Sequence, residues 1–447
     1  MQALKCTAII CLLSLLLFPA LTGPAWSAQE DWERLTAESF DLYQLKQYDE
    51  AIRVSREALE AAEDTFGTRH QVVGKSMNNL GAMLAKHGDR KEAEQLLTGA
   101  LEILEESLGR DDPGTSSTLN NLAELYSDQN RYDEAEPLFK RAIALREKEP
   151  GEKHADLITS LDNLAALYVK MDRFRDAEHL YEMALEIKEE YYRKDHPDSE
   201  AITDKIIQLY IHEGNYYKDQ DNIDEAATAY ETALEMMKIR KEPDLREMAA
   251  LLDIITVINI KSGEYEEAVY NYKRLMSIHA ELHGDQSFEY TRATRDLART
   301  YVRLKQYEQA VPLYASTVDI ESERLEADDP ELVRTLIEQA SAVTSLAKSY
   351  LESGNTEDAI PLFAQAIEIR KKTGEADDPS LAIRMNNLAG LFVELQRFEE
   401  AERLYLEALG VLERSEAGGG SNRTLILQNM QQLYGLTGDL EKAAVVD

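Results

Sequence analysis

Between Thr118 and Arg146 the apolar residues fall into two runs of helical spacing. Leu119, Leu122, Ala123, Leu125 and Tyr126 line one side of a first helix. Asp128-Gln-Asn-Arg131 is a polar turn, and Ala135, Leu138, Phe139, Ala142, Ile143 and Leu145 line one side of a second. A period near 3.6 with one apolar face predicts two amphipathic helices, A and B, that bury their stripes against each other.

The same pattern returns along the whole chain. A phrase of one variable residue, two mostly acidic residues and an alanine opens each helix B, with its alanine at 51, 93, 135, 177, 226, 268, 310, 359, 401 and 443. The interval is 42 residues except from 177 to 226 and from 310 to 359, where it is 49. A fixed period of this length marks a solenoid, whose units bury their apolar faces only against their neighbours. Twelve residues before the alanine stands Gly81, Ala123, Ala165, Gly214, Ala298, Ala347 or Ala389, and seven after it Ala58, Ala100, Ala142, Ala184, Ala233, Ala366 or Ala408. Helices that cross at such points leave no room for larger side chains. Four residues after the alanine, Phe139, Tyr181, Tyr230, Tyr272, Tyr314, Phe363 and Tyr405 read as core. Asp112-Pro113, His196-Pro197, Asp329-Pro330 and Asp378-Pro379 supply helix starts, since aspartate caps free amides and proline at the first position forfeits no bond.

This alternation of small and large residues resembles the tetratricopeptide repeat, in the longer 42-residue form of kinesin light chains. Asn120-Asn-Leu-Ala-Glu-Leu-Tyr126, Arg131-Tyr-Asp-Glu-Ala-Glu-Pro-Leu-Phe139 and Lys194-Asp-His-Pro197 carry the likeness. The resemblance implies an all-α, right-handed superhelical solenoid of about ten antiparallel helix pairs. Glu213, Thr256 and Thr317 depart from the pattern in units 5, 6 and 7, where looser junctions are expected. The two long intervals place seven extra residues in the front half of helix A in units 5 and 8. Seven residues are two turns, so the stripe stays in phase, and the expectation is two A helices that project past one edge. Residues 28–423 are expected to form units 1–9, Gly418-Gly-Gly-Ser-Asn422 a flexible joint, and 424–447 a shortened tenth unit that caps the end.

The first 27 residues differ in kind. One positive charge at Lys5, an apolar run from Cys6 to Phe18, and Ala25-Trp-Ser27 read as a secretory signal peptide cleaved near Ser27/Ala28. An uncleaved anchor is the alternative, though the run is short for a span of about 20 residues. The expectation is an exported protein, periplasmic or extracellular, with no integral span after cleavage. Both cysteines, Cys6 and Cys11, lie in this segment, so the mature chain would hold no disulfide and no thiolate metal site.

Composition then narrows the partners. The chain carries 49 basic and 84 acidic residues, a net −35; losing Lys5 with the leader makes it −36 (48 against 84). Such a field repels nucleic acid and anionic membranes. No phosphate-cradling glycine loop and no nucleophile elbow is found, and no catalytic residue, metal or cofactor is assigned. His279 and His283, one turn apart, read as exposed helix-end histidines without a third metal ligand.

In a tetratricopeptide array helix A lines the concave groove, and the resemblance places its groove-facing positions 18, 15, 11 and 7 residues before the phrase alanine. In unit 7 these are Arg292, Arg295, Arg299 and Arg303, with Lys261 and Lys348 at equivalent positions in units 6 and 8. Guanidinium forks suit carboxylates, which points to a partner's acidic side chains or C-terminal carboxylate. The alternative is that Asp253, Asp296 and Glu352 neutralise them internally. At position −15 of other units stand Asn78, Asn120, Asp162 and Asn386. The resemblance implies that such asparagines hold peptide backbone; bridging between adjacent helices is the other reading. The functional expectation is a protein-interaction scaffold that holds an extended peptide or helix in its groove. A self-assembling solenoid, joined through its long A helices or end units, is the alternative.

Overall fold

The computed structural model describes residues 24–148, 154–191, 197–374, 377–415, 420–439 and 442. It divides into two compact parts, residues 1–216 and 217–447. In the first, the helices are α1 (Pro24–Gln44), α2 (Tyr48–Phe66), α3 (Gln71–His87), α4 (Arg90–Leu108), α5 (Ser116–Asp128), α6 (Tyr132–Arg146), α7 (His154–Lys170) and α8 (Phe174–Tyr191). The helix α9 (Pro197–Asp219) runs across the division. The second part holds α10 (Ile223–Lys238), α11 (Leu245–Ser262), α12 (Tyr265–His283), α13 (Phe288–Arg303), α14 (Tyr307–Arg324), α15 (Pro330–Glu352), α16 (Thr356–Lys371), α17 (Pro379–Glu394), α18 (Phe398–Arg414) and α19 (Gly420–Thr437). Odd-numbered helices are the A helices and even-numbered ones the B helices. Among the described residues all regular structure is helical.

Every turn from helix A to helix B ends in the same way. Five residues before the phrase alanine the backbone is left-handed, at Lys46, Gly88, Asn130, Asp172, Asp221, Gly263, Lys305, Gly354, Gln396 and Gly438. The next amide bonds back five residues to the carbonyl of Leu42, Leu84, Tyr126, Tyr168, Tyr217, Asn259, Tyr301, Tyr350, Phe392 or Tyr434. That closure satisfies carbonyls which the helix end would otherwise orphan. Only four of the ten positions are glycine, so most units accept the strain of a side chain there to keep the hairpin tight.

The small residues sit where the helices cross. Ala123, Ala165, Ala298, Ala347 and Ala389 are fully buried, as are Ala100, Ala142, Ala184, Ala233 and Ala408. Phe139, Tyr181, Tyr230, Tyr314 and Tyr405 are buried among them. Gly81 shows how close the approach is: a Cβ there would lie 2.8 Å from Leu97 Cγ and 3.4 Å from the Ala93 carbonyl oxygen. Gly81→Ile is therefore expected to lower stability by about 1–3 kcal/mol, read from the denaturant midpoint. Gly390, inside α17 with open space around it, is expected to gain about 0.5–1 kcal/mol on replacement by alanine.

Thr256 and Thr317 do not loosen their junctions. Each is buried, and each hydroxyl donates to a carbonyl one turn back, Leu252 at 2.6 Å and Leu313 at 2.9 Å. The polar atom is satisfied within its own helix, which leaves only the methyl to pack. Asp329 and Asp378 cap α15 and α17 as expected, each accepting an amide bond at 2.8 Å. Asp112 instead caps a short 3-10 turn, Pro113–Thr115, ahead of α5. His196 lies outside the described residues.

Helices α9 and α15 are each 23 residues long. In α15 the extra turns do not project; they pack on the unit before. In ordinary neighbours, position −15 of one unit meets −14 or −17 of the next, as in Asn78 with Asn121 and Asn120 with Ser160. In α15, Thr335 at −24 takes the part of −17 by bonding Arg295 at 3.1 Å. In α9, Lys205 at −21 takes the part of −14 by pairing with Asp162. Tyr168 and Tyr434, both at −9, donate to the first glutamate after the preceding phrase alanine. Tyr210 in α9 does so from −16. Each long helix thus shifts the register to its predecessor by seven residues, about 10 Å at 1.5 Å per residue, and α15 still pairs with α16.

The start of α19 at Gly420 takes Gly420, Ser421 and Asn422 into a helix rather than a flexible joint. The rest of that joint and Ala443 lie outside the described residues, as do Cys6, Cys11 and the apolar run before Pro24.

Candidate functional site: the face of the A helices

In the N-terminal part, α1, α3 and α5 enclose a cleft of about 580 Å³. Its floor is apolar and aromatic: Trp32, Phe40 and Tyr43 from α1, Met83 from α3 and Leu125 from α5. Phe40 is 59 % exposed, unusual for a large apolar side chain with a core close by. Asn79 and Asn121 reach the same cleft, and Lys86 pairs with Glu124 at its rim.

The lining asparagines stand at −14, not at −15. Asn78 lies behind them: its Oδ1 accepts a bond from Asn121 Nδ2 at 2.9 Å. Asn120 is buried and donates to Ser160 Oγ at 2.6 Å. Asp162 receives Lys205. Asn386 is buried and accepts from Asn429 Nδ2 at 2.7 Å. These four residues bridge consecutive A helices, the second of the two readings their sequence positions allowed. A step of three or four residues from −18 reaches −15 or −14 equally well, so periodicity alone does not choose between them. The doublets Asn78-Asn79, Asn120-Asn121, Asp162-Asn163 and Asn386-Asn387 were the available signal: the first member of each bonds the next A helix, and Asn79, Asn121 and Asn387 reach a cleft.

In the C-terminal part the arginines of α13 divide in the same way. Arg295, at −15, is 3 % exposed and forks between Glu321 of α14 at 2.7 Å and Glu331 of α15 at 2.6 Å. It is out of reach of a ligand. Arg299 grips Glu338 of α15 through two bonds at 2.7 and 2.8 Å and Asp296 at 2.6 Å. Arg292 pairs with Asp253 at 3.0 Å. Arg303 is exposed over the Tyr265 ring, 5.8 Å from its centroid. The extra turns of α15 supply Glu331 and Thr335, so the arginine ladder and the long helix form one feature. Of the three carboxylates expected as counter-ions, Asp253 pairs with Arg292 and Asp296 with Arg299, while Glu352 makes no ion pair with these arginines among the described residues.

Burial pushes the carboxyls of Glu321 and Asp296 up, against the pull of Arg295 and Arg299 respectively. The pair with Glu338 holds the Arg299 guanidinium more firmly charged than usual. His279 is buried, which corrects its reading as exposed, and burial lowers its affinity for a proton. Its ring stacks on exposed His283 with centroids 6.3 Å apart. Among the described residues no group of three or more histidine, cysteine or acidic side chains could hold a metal.

Lys348 is exposed and makes no ion pair among the described residues, and the same holds for Lys261. Lys348 borders a second cleft, about 300 Å³, between α15, α16 and α17. Phe363, Leu388 and Leu391 form its floor, and Arg384 and Asn387 reach it from α17.

The tetratricopeptide-repeat profile matches residues 39–106, 76–148, 114–190, 207–236, 246–321 and 338–414, together well over half of the chain. The chain belongs to the tetratricopeptide-repeat family. Its helical pairs are therefore those of a tetratricopeptide solenoid. Among solved structures it is similar to a putative kinesin light chain with nearly identical TPR-like repeats from Podospora anserina, at 20 % identity and a TM-score of 0.38, covering 47 % of this chain and 97 % of that one. BtubC (BKLC) from P. vanneervenii follows at 21 % and 0.34, covering 57 % and 92 %. The apo quorum sensor NprR from B. thuringiensis stands at 18 % and 0.35, covering 86 % and 99 %. These TM-scores lie below 0.5, and the family assignment rests on the repeat match. No curated protein matches the chain.

Proposed function

We propose that this tetratricopeptide-repeat protein is an exported interaction scaffold that holds an extended segment of a partner protein against its A helices. The observation that carries the reading is the cleft of α1, α3 and α5. An exposed phenylalanine beside a tryptophan, a tyrosine and a methionine offers a seat for a large apolar side chain. The carboxamides of Asn79 and Asn121 bring both donors and acceptors to the chain that carries it. Export is supported by the leader-like pattern of residues 1–27. Cleavage near Ser27/Ala28 would fall inside the first turns of α1 and spare Trp32 onward, the residues that build the cleft. No described helix is long and apolar enough to cross a membrane.

The test is selection of random displayed peptides on the mature chain, followed by affinity measurement on the double variant Phe40→Asp/Asn79→Ala. Burying a phenylalanine contributes about 1.5–3 kcal/mol, so a loss of roughly tenfold to a hundredfold is expected with the helical signal unchanged. Peptides that bind both proteins equally would refute the groove as the docking face.

A further inference from the structure

We infer that the cleft of α15, α16 and α17 takes an acidic side chain from the bound partner, in the place that a carboxylate of this chain fills one unit earlier. The inference rests on the groove reading above and names the chemistry that one part of the groove selects. Two successive junctions in the C-terminal part carry it. At the first, the −11 cation is Arg299, and the residue facing it from the next A helix is Glu338, held by two bonds. Glu338 stands at −21 in the long helix α15, which the register shift makes equivalent to −14. At the second, the −11 cation is Lys348, and the residue in the facing place, −14 of α17, is Asn387. The cation is kept and its carboxylate is replaced by a neutral amide.

Lys348 is consequently an exposed ammonium without an ion pair among the described residues, in a chain of net −35. Arg384 lines the same cleft and adds positive charge, which also reaches Asp378 at the start of α17. The floor of Phe363, Leu388 and Leu391 is apolar. A glutamate side chain can reach the Lys348 ammonium and the Asn387 amide while a neighbouring aromatic or aliphatic side chain covers the floor. Charge-assisted bonds of this kind are stronger than neutral ones and strengthen further as water is excluded. The occupant is therefore an internal acidic residue beside a large apolar one, as Glu338 is itself internal to a helix.

The decisive variant restores the missing carboxylate. Asn387→Glu places an acid opposite Lys348 at an exposed position, and the site should then neutralise itself as Arg299 and Glu338 do. The probes are short peptides acetylated and amidated at their ends, with Phe-Glu or Phe-Gln in a Gly-Ser background, so that no terminal carboxylate is present. The mature native chain is expected to bind the Phe-Glu peptide at least about tenfold tighter than Phe-Gln. That preference should vanish in Asn387→Glu and in Lys348→Met, both still fully helical. A preference retained in the folded Asn387→Glu variant overturns the inference, as does binding of neither peptide by the native chain. Acetate that competes at the same concentration as the peptide would overturn it too, by showing a general anion site. Failure of the groove reading itself is separately visible, since Phe40 and Asn79 belong to the other compact part.

Discussion

Arg295→Ala is expected to destabilise the C-terminal part by about 3–5 kcal/mol, the usual cost of removing one member of a buried ion pair. The guanidinium is 3 % exposed and lies between Glu321, itself buried, and Glu331. Without it, Glu321 keeps its charge in a place that water does not reach. Replacing Arg295 by methionine and Glu321 by leucine together should recover most of the loss, because the Coulombic gain of a buried pair barely exceeds the desolvation of its members. The pH dependence has a definite sign. Burial already raises the Glu321 carboxyl above its unfolded value, so its contribution to stability is full below the ordinary glutamate range and fades as pH rises through the raised value. Removing Arg295 raises that carboxyl further. The deficit of Arg295→Ala should accordingly shrink on acidification towards pH 4 and widen above neutrality. Chemical denaturation across that range, with hydrogen exchange reporting α13 to α15 separately from the rest, measures both. Exchange is needed because solenoid units open semi-independently. A loss below 1 kcal/mol at neutral pH would mean that water reaches the cluster.

The contrast between Arg295 and Arg299 shows where reading the chain stops. Helix pairs, crossing alanines and core aromatics were legible because each is a local consequence of period and side-chain size, repeated in nearly every unit. The side-chain partners of the arginines were not. They come from the next unit across a register that the 42-residue period sets and the seven added residues then displace. Phase counting shows that two turns leave a stripe in place; it does not say whether the added turns project or slide along a neighbour. The two differ only in tertiary contacts. The same holds for Asn78 and Asn79, whose roles differ by 100° of helix rotation, within the tolerance of any apolar pattern. The left-handed turn residue was hidden for another reason. At Lys46, Lys305 and Gln396 the side chain gives no sign of it, and only the surrounding hairpin enforces it.

Deleting residues 331–337 tests the register shift directly, and its effect should be larger than that of any single substitution here. The deletion returns Pro330 to 22 residues before Ala359, the spacing of Pro113 to Ala135 and of Pro379 to Ala401. Helix α15 then has ordinary length, and its apolar stripe turns by only about 20°. If α13 and the shortened helix adopt the ordinary register, Arg295 faces Ala342 and Arg299 faces Ser345. Glu331 and Thr335 are gone, and Glu338 moves two turns from where it was held. Arg295 is left buried with Glu321 alone, and Arg299 loses its forked bond. The cost should exceed the 3–5 kcal/mol typical of a single buried pair broken and should fall on units 7 and 8, leaving exchange in α1 to α8 unchanged. The same logic names the rescue. In the ordinary register the −15 position is served by a short amide, as Asn120 serves opposite Ser160. Arg295→Asn combined with Glu321→Leu removes both members of the buried pair; it is expected to damage the full-length helix, where Glu331 loses its partner, and to improve the shortened one, where Glu331 is absent. That reversal of sign distinguishes a displaced register from a helix that is merely truncated: simple truncation predicts that the double change harms both.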